Sequence, residues 1–286
     1  MPKLSVLIPT KNESANLPEC LASIRGADEI VIVDDLSEDD TAAQARAAGA
    51  KVIVRKRESM AAQRDFAQTQ AEGDWFFHLD ADERFSPGLL EAIRRHMELW
   101  PGTAGRVVRR NFAFGRRHRF GALKPDRVTR LFPRGSVTWV EPIHERPVFN
   151  GPVRLLPGHL DHFTYGDWAQ YEAKMNRYAE LWAESARAQG RKAGPATPWL
   201  RGGACLLKMF GLNLGILGGP MAWAVCLRHA RYTFDKYRLL AAPPPGQPTS
   251  DQISSSRPMG QWSEPVTPGS SQAPLTAPAS SEETKK

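Results

Sequence analysis

Phe76-Phe77-His78-Leu79-Asp80-Ala81-Asp82-Glu83 is an apolar run that stops abruptly at two aspartates spaced i, i+2, with a glutamate beside them. In an extended segment, residues two apart point the same way. Asp80 and Asp82 are therefore expected to aim both carboxylates at one point across small Ala81. Two hard oxygen donors at the end of a buried strand suit Mg2+ or Mn2+, ions that use phosphate oxygens to complete their shell. That is one way to hold a nucleotide diphosphate. The plainer alternative is a polar strand-to-loop turn, where aspartate is common.

The elements that must position these carboxylates alternate between strand and helix. Leu4–Pro9 reads as a short apolar strand followed by the polar loop Thr10-Lys11-Asn12-Glu13. Asn16 is a candidate helix cap, Pro18 suits the first turn, and Leu17, Leu21 and Ile24 mark one face. Glu29–Val33 is a second strand that ends at Asp34-Asp35. A helix is expected over Thr41–Ala48 with Gly49 ending it, then a strand Lys51–Val54. Ser59 opens a helix closed by Gly73, Trp75–Leu79 is a fourth strand, and Ser86-Pro87 starts a helix running to Trp100. Such alternation implies an α/β fold with a mostly parallel sheet and helices on both faces. In open sheets of this kind ligands sit beyond the carboxyl ends of the strands. Asn12, Asp35 and the Asp80/Asp82 pair all fall at such ends. No G-x-G-x-x-G follows any of these strands and there is no G-x-x-x-x-G-K-[ST], so dinucleotide and P-loop sites lose their main support.

Composition narrows the class. A chain of 286 residues fits one domain with appendages. Cys20, Cys205 and Cys226 are odd in number, lack metal-site spacing and read as thiols of a reducing compartment. The N-terminus leads directly into a strand and leaves no room for a signal peptide, so an intracellular enzyme is expected. A formal charge of +7 argues for an anionic partner. Met209–Leu227 holds 19 residues without a charge, but Gly211, Gly215 and Gly218-Gly219-Pro220 interrupt it. Two half-helices at a membrane interface, flanked by Lys208, Arg228, His229, Arg231, Lys236 and Arg238, are one reading; a hairpin buried on the main domain is the other. From Pro243 onward the chain is rich in Pro, Ser, Thr, Gly and Gln and is expected to be disordered.

Three segments carry a family likeness: Leu4–Glu13, Val33–Thr41 and Leu79–Glu83 resemble family 2 glycosyltransferases of the GT-A (Rossmann-like) fold. Arg130-Leu131-Phe132, Ile143-His144-Glu145, His162–Tyr165, Lys174–Tyr178 and Lys236-Tyr237 are similar to the branch of bacterial lipopolysaccharide inner-core β-glucosyltransferases. The resemblance covers about residues 3 to 240. It departs at Leu36, where relatives have a small residue, and at Gly218-Gly219, where many have Asp-Gly. It implies a catalytic domain over 1–165, with a nucleotide-sugar part to about 100 and an acceptor part beyond. A helical, membrane-associating extension over 166–242 and the tail 243–286 would follow.

By the same resemblance Pro9, Thr10, Asn12, Glu13, Asp34, Asp35, Arg64, Asp80, Ala81 and Asp82 bind the nucleotide sugar, and a carboxylate there accepts the imide N–H of uracil, favouring a UDP-sugar. Asp80 and Asp82 hold Mg2+ or Mn2+, with His162 as third ligand or else as a hydrogen-bonded core histidine. Direct displacement needs a base near the attacking hydroxyl. Glu145 is the first choice, His144 the second; the alternative for either is a structural role. The Arg106–Arg119 stretch, with Phe112, Phe114 and Phe120 interleaved, could meet nucleic acid. An acceptor loop next to the sugar-transfer site is the preferred reading, with a solvated basic loop as the plain alternative, so no nucleic-acid partner is expected. Arg110, Arg116 and Arg130 are the acceptor-binding candidates, for an anionic saccharide or glycolipid. The expected reaction is inverting transfer, glucose from UDP-glucose, at the cytoplasmic face of the inner membrane with contact to anionic lipid. Transfer to a lipid phosphate carrier, which would need no base, and a nucleotide-binding scaffold without turnover are the rivals; nucleotidyl transfer lacks its Gly-rich phosphate loop.

Overall fold

Leu4–Thr10 (β1) lies at the centre of the sheet, and six of its seven residues are buried because both of its faces are covered. Leu4, Val6 and Ile8 pack on one side and Leu7 on the other, the period of two expected of a strand. The computed structural model describes residues 1–140 and 145–242, and 1–242 form one compact unit. Glu29–Asp34 (β2), Lys51–Val54 (β3) and Trp75–His78 (β4) join β1 in parallel, in the order β3-β2-β1-β4. Helices Leu17–Ser23 (α1), Thr41–Ala47 (α2) and Leu89–Leu99 (α4) cover one face, and Met60–Gln70 (α3) the other.

Local chemistry sets the boundaries. Ser59 caps α3 by accepting the Ala62 N–H at 3.1 Å. Asn16 makes no such cap; its side chain donates to Glu13 Oε2 at 2.9 Å instead. The helix that Gly73 was expected to close ends at Gln70. Gly73 serves a different need: a Cβ there would meet Ser5 N at 2.8 Å, so only glycine lets this turn approach β1.

Beyond β4 the sheet changes character. Glu83–Phe85 (β5), Ala104–Ala113 (β6), Arg116–Arg117 (β7), Asp126–Pro133 (β8) and Val153–Tyr165 (β11) extend it in the order β4-β8-β6-β11-β5, with β7 on β6. The pairs β4–β8, β8–β6 and β11–β5 are antiparallel and β6–β11 is parallel. Thr138–Val140 (β9) and Arg146–Val148 (β10) form a separate ribbon.

Three helices follow: Trp168–Ala188 (α5), Thr197–Leu207 (α6) and Gly219–Ala241 (α7). Between α6 and α7 lie a wide turn, Lys208–Leu212, and a 3-10 turn, Gly215–Gly218. Among the described residues no single helix is long and apolar enough to cross a membrane; Thr197–Leu212 and Gly215–Ala241 meet that test only as a pair bent by 68°. The hairpin is not a buried one: Leu207, Leu212 (82% accessible), Ile216 and Leu217 are exposed. The expectation for 243–286 lies outside the described residues.

Candidate active site

β4 ends at His78, and the chain then turns tightly, with the Glu83 N–H donating to the Asp80 carbonyl at 2.9 Å. Asp80 and Asp82 thus do not sit in an extended segment, and the two-residue rule that would align them does not operate. Asp80 is drawn to two guanidinium groups, Arg64 at 2.5 Å and Arg130 at 2.6 Å. Glu83, fully buried, fastens the turn: its Oε2 accepts the Asp80 N–H at 3.1 Å, and its Oε1 meets Arg130 at 2.9 Å and Arg109 at 3.5 Å. Arg109 is in turn gripped by both oxygens of Asp126. Burial alone would raise the Asp80 pKa, but the charges of Arg130 and Arg64 overcome it and hold the carboxyl well below its usual range. Behind this network His78 accepts from Trp139 Nε1 at 3.3 Å, and burial, then the charges of Arg64 and Arg130, keeps it neutral.

Asp82 faces another partner. The β5–β11 pairing sets His162 opposite Glu83, and His162 Nε2 lies 3.3 Å from Asp82 Oδ2. The other ring nitrogen, Nδ1, is 2.8 Å from Asn111 Oδ1. The Asn111 amide nitrogen donates to Lys124 O at 3.1 Å, which fixes the oxygen toward the histidine. Nδ1 therefore donates to Asn111, and Nε2 is the ring nitrogen turned to the Asp82 carboxylate. A proton on Nε2 or a divalent cation would each bridge such a pair, and imidazole with carboxylate is a donor set that suits Mn2+ or Mg2+ whose other positions are filled by phosphate. Among the described residues no group of three His, Cys, Asp or Glu side chains converges on one point. Asp80, expected as an ion ligand, has one carboxylate oxygen on Arg64 and the other on Arg130, whereas Asp82, expected beside it, faces His162.

Two cavities meet here. One, about 230 Å3, is lined by Pro9, Thr10, Glu13, Arg57, Arg64 and Ala81 among others. The second, about 580 Å3, is lined by Arg109, Arg127, Arg130, Trp139, Thr164 and Tyr165 among others. Asp80, Glu145, His162, Lys174 and Tyr178 border both. Glu145 is partly exposed, with one oxygen 3.5 Å from Arg64. The Glu13 pKa is raised, chiefly by burial and further by Asp82 and Asp80, against the hydrogen bond from Asn16.

The remaining expected residues sort by position. Asp34 is buried and accepts from Thr10 at 2.9 Å and from the Ser37 hydroxyl at 2.5 Å, so it fastens the loop behind the smaller cavity. Asn12, at φ +53°, clamps Glu38 and Ser37. Asp35 accepts the Arg57 N–H at 2.8 Å and reaches the cavity only through Arg57. Arg110 and Arg116 border neither cavity. Arg110 contacts His159 at 2.8 Å, and Arg116 lies on β7, beyond the end of β6. Alternation along β6 explains the split, since Arg109 and Arg110 must point to opposite faces. His144 lies outside the described residues. Glu83, Arg109, Arg127, Lys174 and Tyr178 were not foreseen as site residues. Lys174 and Tyr178 had a legible signal, an i, i+4 pair that shares one face of α5.

The family described as Glycosyl transferase family 2 matches residues 5–152, just over half of the chain. An uncharacterized glycosyltransferase of Rickettsia prowazekii (strain Madrid E) is 29% identical over 208 residues, 67% of this chain and 70% of that protein. The lipopolysaccharide core biosynthesis glycosyltransferase LpsC of Rhizobium meliloti (strain 1021) is 32% identical over 198 residues, 66% of this chain and 73% of that protein. Among solved structures, glucosyl-3-phosphoglycerate synthase from Mycobacterium tuberculosis in complex with Mn2+, UDP and glucosyl-3-phosphoglycerate is 23% identical over 40% of this chain, with a TM-score of 0.33. The chain spans under half (45%) of that structure, a likeness too slight to carry an argument about ligands. The α/β fold is the one the resemblance led us to expect, and the family match together with the LpsC relative shows that this chain is a glycosyltransferase and belongs to glycosyl transferase family 2.

Proposed function

We propose that this glycosyltransferase moves glucose from UDP-glucose, with inversion, onto a hydroxyl of an anionic saccharide or glycolipid of the cell envelope, of the lipopolysaccharide-core type. It would work as a peripheral enzyme at the cytoplasmic face of the inner membrane. The observation that carries the reading is Glu145 in the wall between two cavities, beside the Asp82–His162 pair. The smaller cavity suits the donor. There Thr10, Glu13 and Arg57 border the nucleoside side, with Asp35 behind Arg57, and Arg64 turns toward the diphosphate side. Asp82 and His162 would hold Mg2+ or Mn2+, which when bound offsets charge on the departing diphosphate. Arg64 and Arg130 keep Asp80 ionised and the turn rigid. In the larger cavity Arg127 and Lys174 make no ion pair among the described residues, which supports an anionic acceptor. Glu145 would take the proton of the attacking hydroxyl as the glycosidic bond forms. The core-biosynthesis relative supports the acceptor class, and the resemblance to inner-core enzymes supports glucose.

The test is release of free nucleotide from a panel of nucleotide sugars, with and without a lipopolysaccharide-core acceptor. UDP-glucose with the core acceptor should give the fastest release, and excess chelator should abolish it. Mn2+ binding, read by electron paramagnetic resonance, should be lost in Asp82→Asn and in His162→Ala. Full turnover in chelator, or Mn2+ bound unchanged in both variants, would remove the ion from the reading.

A further inference from the structure

The basic charge that the sequence assigns to the helical hairpin is largely spoken for. Arg228 pairs with Glu172 at 3.0 Å, and Arg231 and Arg238 share Asp235 at 2.9 and 3.0 Å. Lys236 lies 4.5 Å over the Trp182 ring. Burial, followed by the charges of Lys236 and Lys208, pushes the His229 pKa down to about 4, so it is neutral near pH 7. Lys208, in the turn itself, is exposed and makes no ion pair among the described residues.

A different basic segment is built against the apolar turn. The Gly121 N–H donates to Asn213 O at 2.9 Å. A Cβ on Gly121, which sits at φ +77°, would lie 2.6 Å from Cys226 Sγ, and one on Gly218 would lie 3.4 Å from Phe120 Cβ. The chain between β6 and β8 is thus docked on the hairpin, not on the sugar-transfer cavities. Arg119 directly precedes Phe120, and Arg116 and Arg117 make up β7. Arg116 and Arg119 are exposed. Among the described residues none of the three forms an ion pair, and Arg117 Nε is buried without a hydrogen-bond partner. Arg110 and Arg119 crowd Arg117 with like charge, against the weaker opposing charge of Asp161. Clustered cations without a protein counter-ion raise the local positive potential and favour an anionic surface. In the turn on which Gly121 docks, Leu212, Leu214, Ile216 and Leu217 stand exposed, an arrangement that brings apolar insertion together with a basic segment two residues away in the chain.

We infer that the loop carrying Arg116, Arg117 and Arg119 and the apolar turn Leu212–Leu217 form a single surface that seats on an anionic lipid bilayer. The inference rests on the membrane reading above and moves its electrostatic half from α7 to a loop of the catalytic sheet. Nucleic acid would match the arginines but not the leucines, whereas a bilayer matches both.

The experiment is sedimentation of the full chain with vesicles of phosphatidylcholine alone and of phosphatidylcholine mixed with phosphatidylglycerol. Folding of each variant is checked by circular dichroism and thermal unfolding. The wild type should favour the anionic vesicles. Arg116→Gln combined with Arg119→Gln should lower that partitioning about 30-fold, since each basic residue near the surface contributes about fivefold. Arg231→Gln with Arg238→Gln, two charges of which Asp235 offsets one, should change it less, by about fivefold or less. Unchanged binding of the Arg116/Arg119 variant overturns the inference while the membrane reading survives. Equal binding to neutral and anionic vesicles does the same. No binding of the wild type to either vesicle, or self-association in light scattering in place of vesicle binding, removes the membrane reading and this inference with it.

Discussion

At the scale of single residues, charge decides more than spacing. The two aspartates look equivalent in the sequence, yet one is spent on arginines and the other faces a histidine ring nitrogen. No rule of alternation could separate them, because a tight turn holds them and the arginines that cause the difference come from α3 and β8. Arg130 joins Asp80 to the fully buried Glu83, so Arg130→Leu should cost about 3–5 kcal/mol by leaving Glu83 uncompensated. Urea unfolding measures this, and a loss under about 1 kcal/mol would mean that Arg109 alone neutralises Glu83. Glu145→Gln keeps shape but not basicity; turnover should fall by about 10²–10⁴-fold with UDP binding unchanged in calorimetry. If UDP binding collapses while turnover survives, Glu145 belongs to the donor cavity. Glu13 gives a pH signature. Its pKa is raised above the ordinary 4.5, so the folded state holds the proton more tightly than the unfolded one. Stability from this group is then greatest below the ordinary value and falls as pH rises through the raised one. Glu13→Gln should raise the melting temperature at pH 7 and leave it nearly unchanged at pH 4; an equal shift at both would refute the electrostatic cause.

At the scale of elements, the parallel half of the sheet was legible and the rest was not. The apolar runs of β1 through β4 are short and separated by helices, and β1, β2 and β4 are largely buried while β3 lies at the edge, so composition alone located them. β5 is three residues whose identity as a strand depends on β11, about 75 residues later, and no local pattern carries that pairing. The basic stretch after Arg106 misled for a related reason: half of it alternates across β6 and half docks on a hairpin the local sequence does not mention. The loop after β2 contains a strain that was foreseen only as a family departure. Leu36 adopts φ +52° with its side chain half exposed, a conformation costly for a branched hydrophobe. Leu36→Asn should therefore stabilise the protein by about 0.5–1 kcal/mol in thermal unfolding. A loss of stability would show that Leu36 makes contacts worth more than its strain. Gly121→Ala should act in the opposite sense, because added bulk meets Cys226 in a left-handed turn. Limited proteolysis should cut faster between α6 and α7 in that variant, and equal rates would show that the loop does not secure the hairpin.

At the scale of the whole molecule, the α/β class, the cavity at the strand ends and the helical extension followed from the sequence, while the convergence of α5 on both cavities did not. Lys174 and Tyr178 reach the site from the same helix whose Glu172 binds Arg228 of α7. The extension is thus part of the enzyme's wall and not only an appendage. Deleting residues 243–286 should leave nucleotide release unchanged, and a large loss would tie those residues to turnover. The antiparallel pairing of β5 with β11 has one more consequence, in time and not in space. Asp82 is synthesised some eighty residues before His162, and the intervening loop must close before they meet. Closure over such a separation is slow compared with forming the neighbouring β1–β2 pair. A nascent chain emerging from the ribosome would hold a finished parallel half beside an open edge, with Asp82 and His162 still apart until Tyr165 has cleared the tunnel. Refolding followed by pulsed hydrogen exchange should protect the amides of β1 and β2 before those of β5 and β11, so that the protein acquires its shape well before its chemistry.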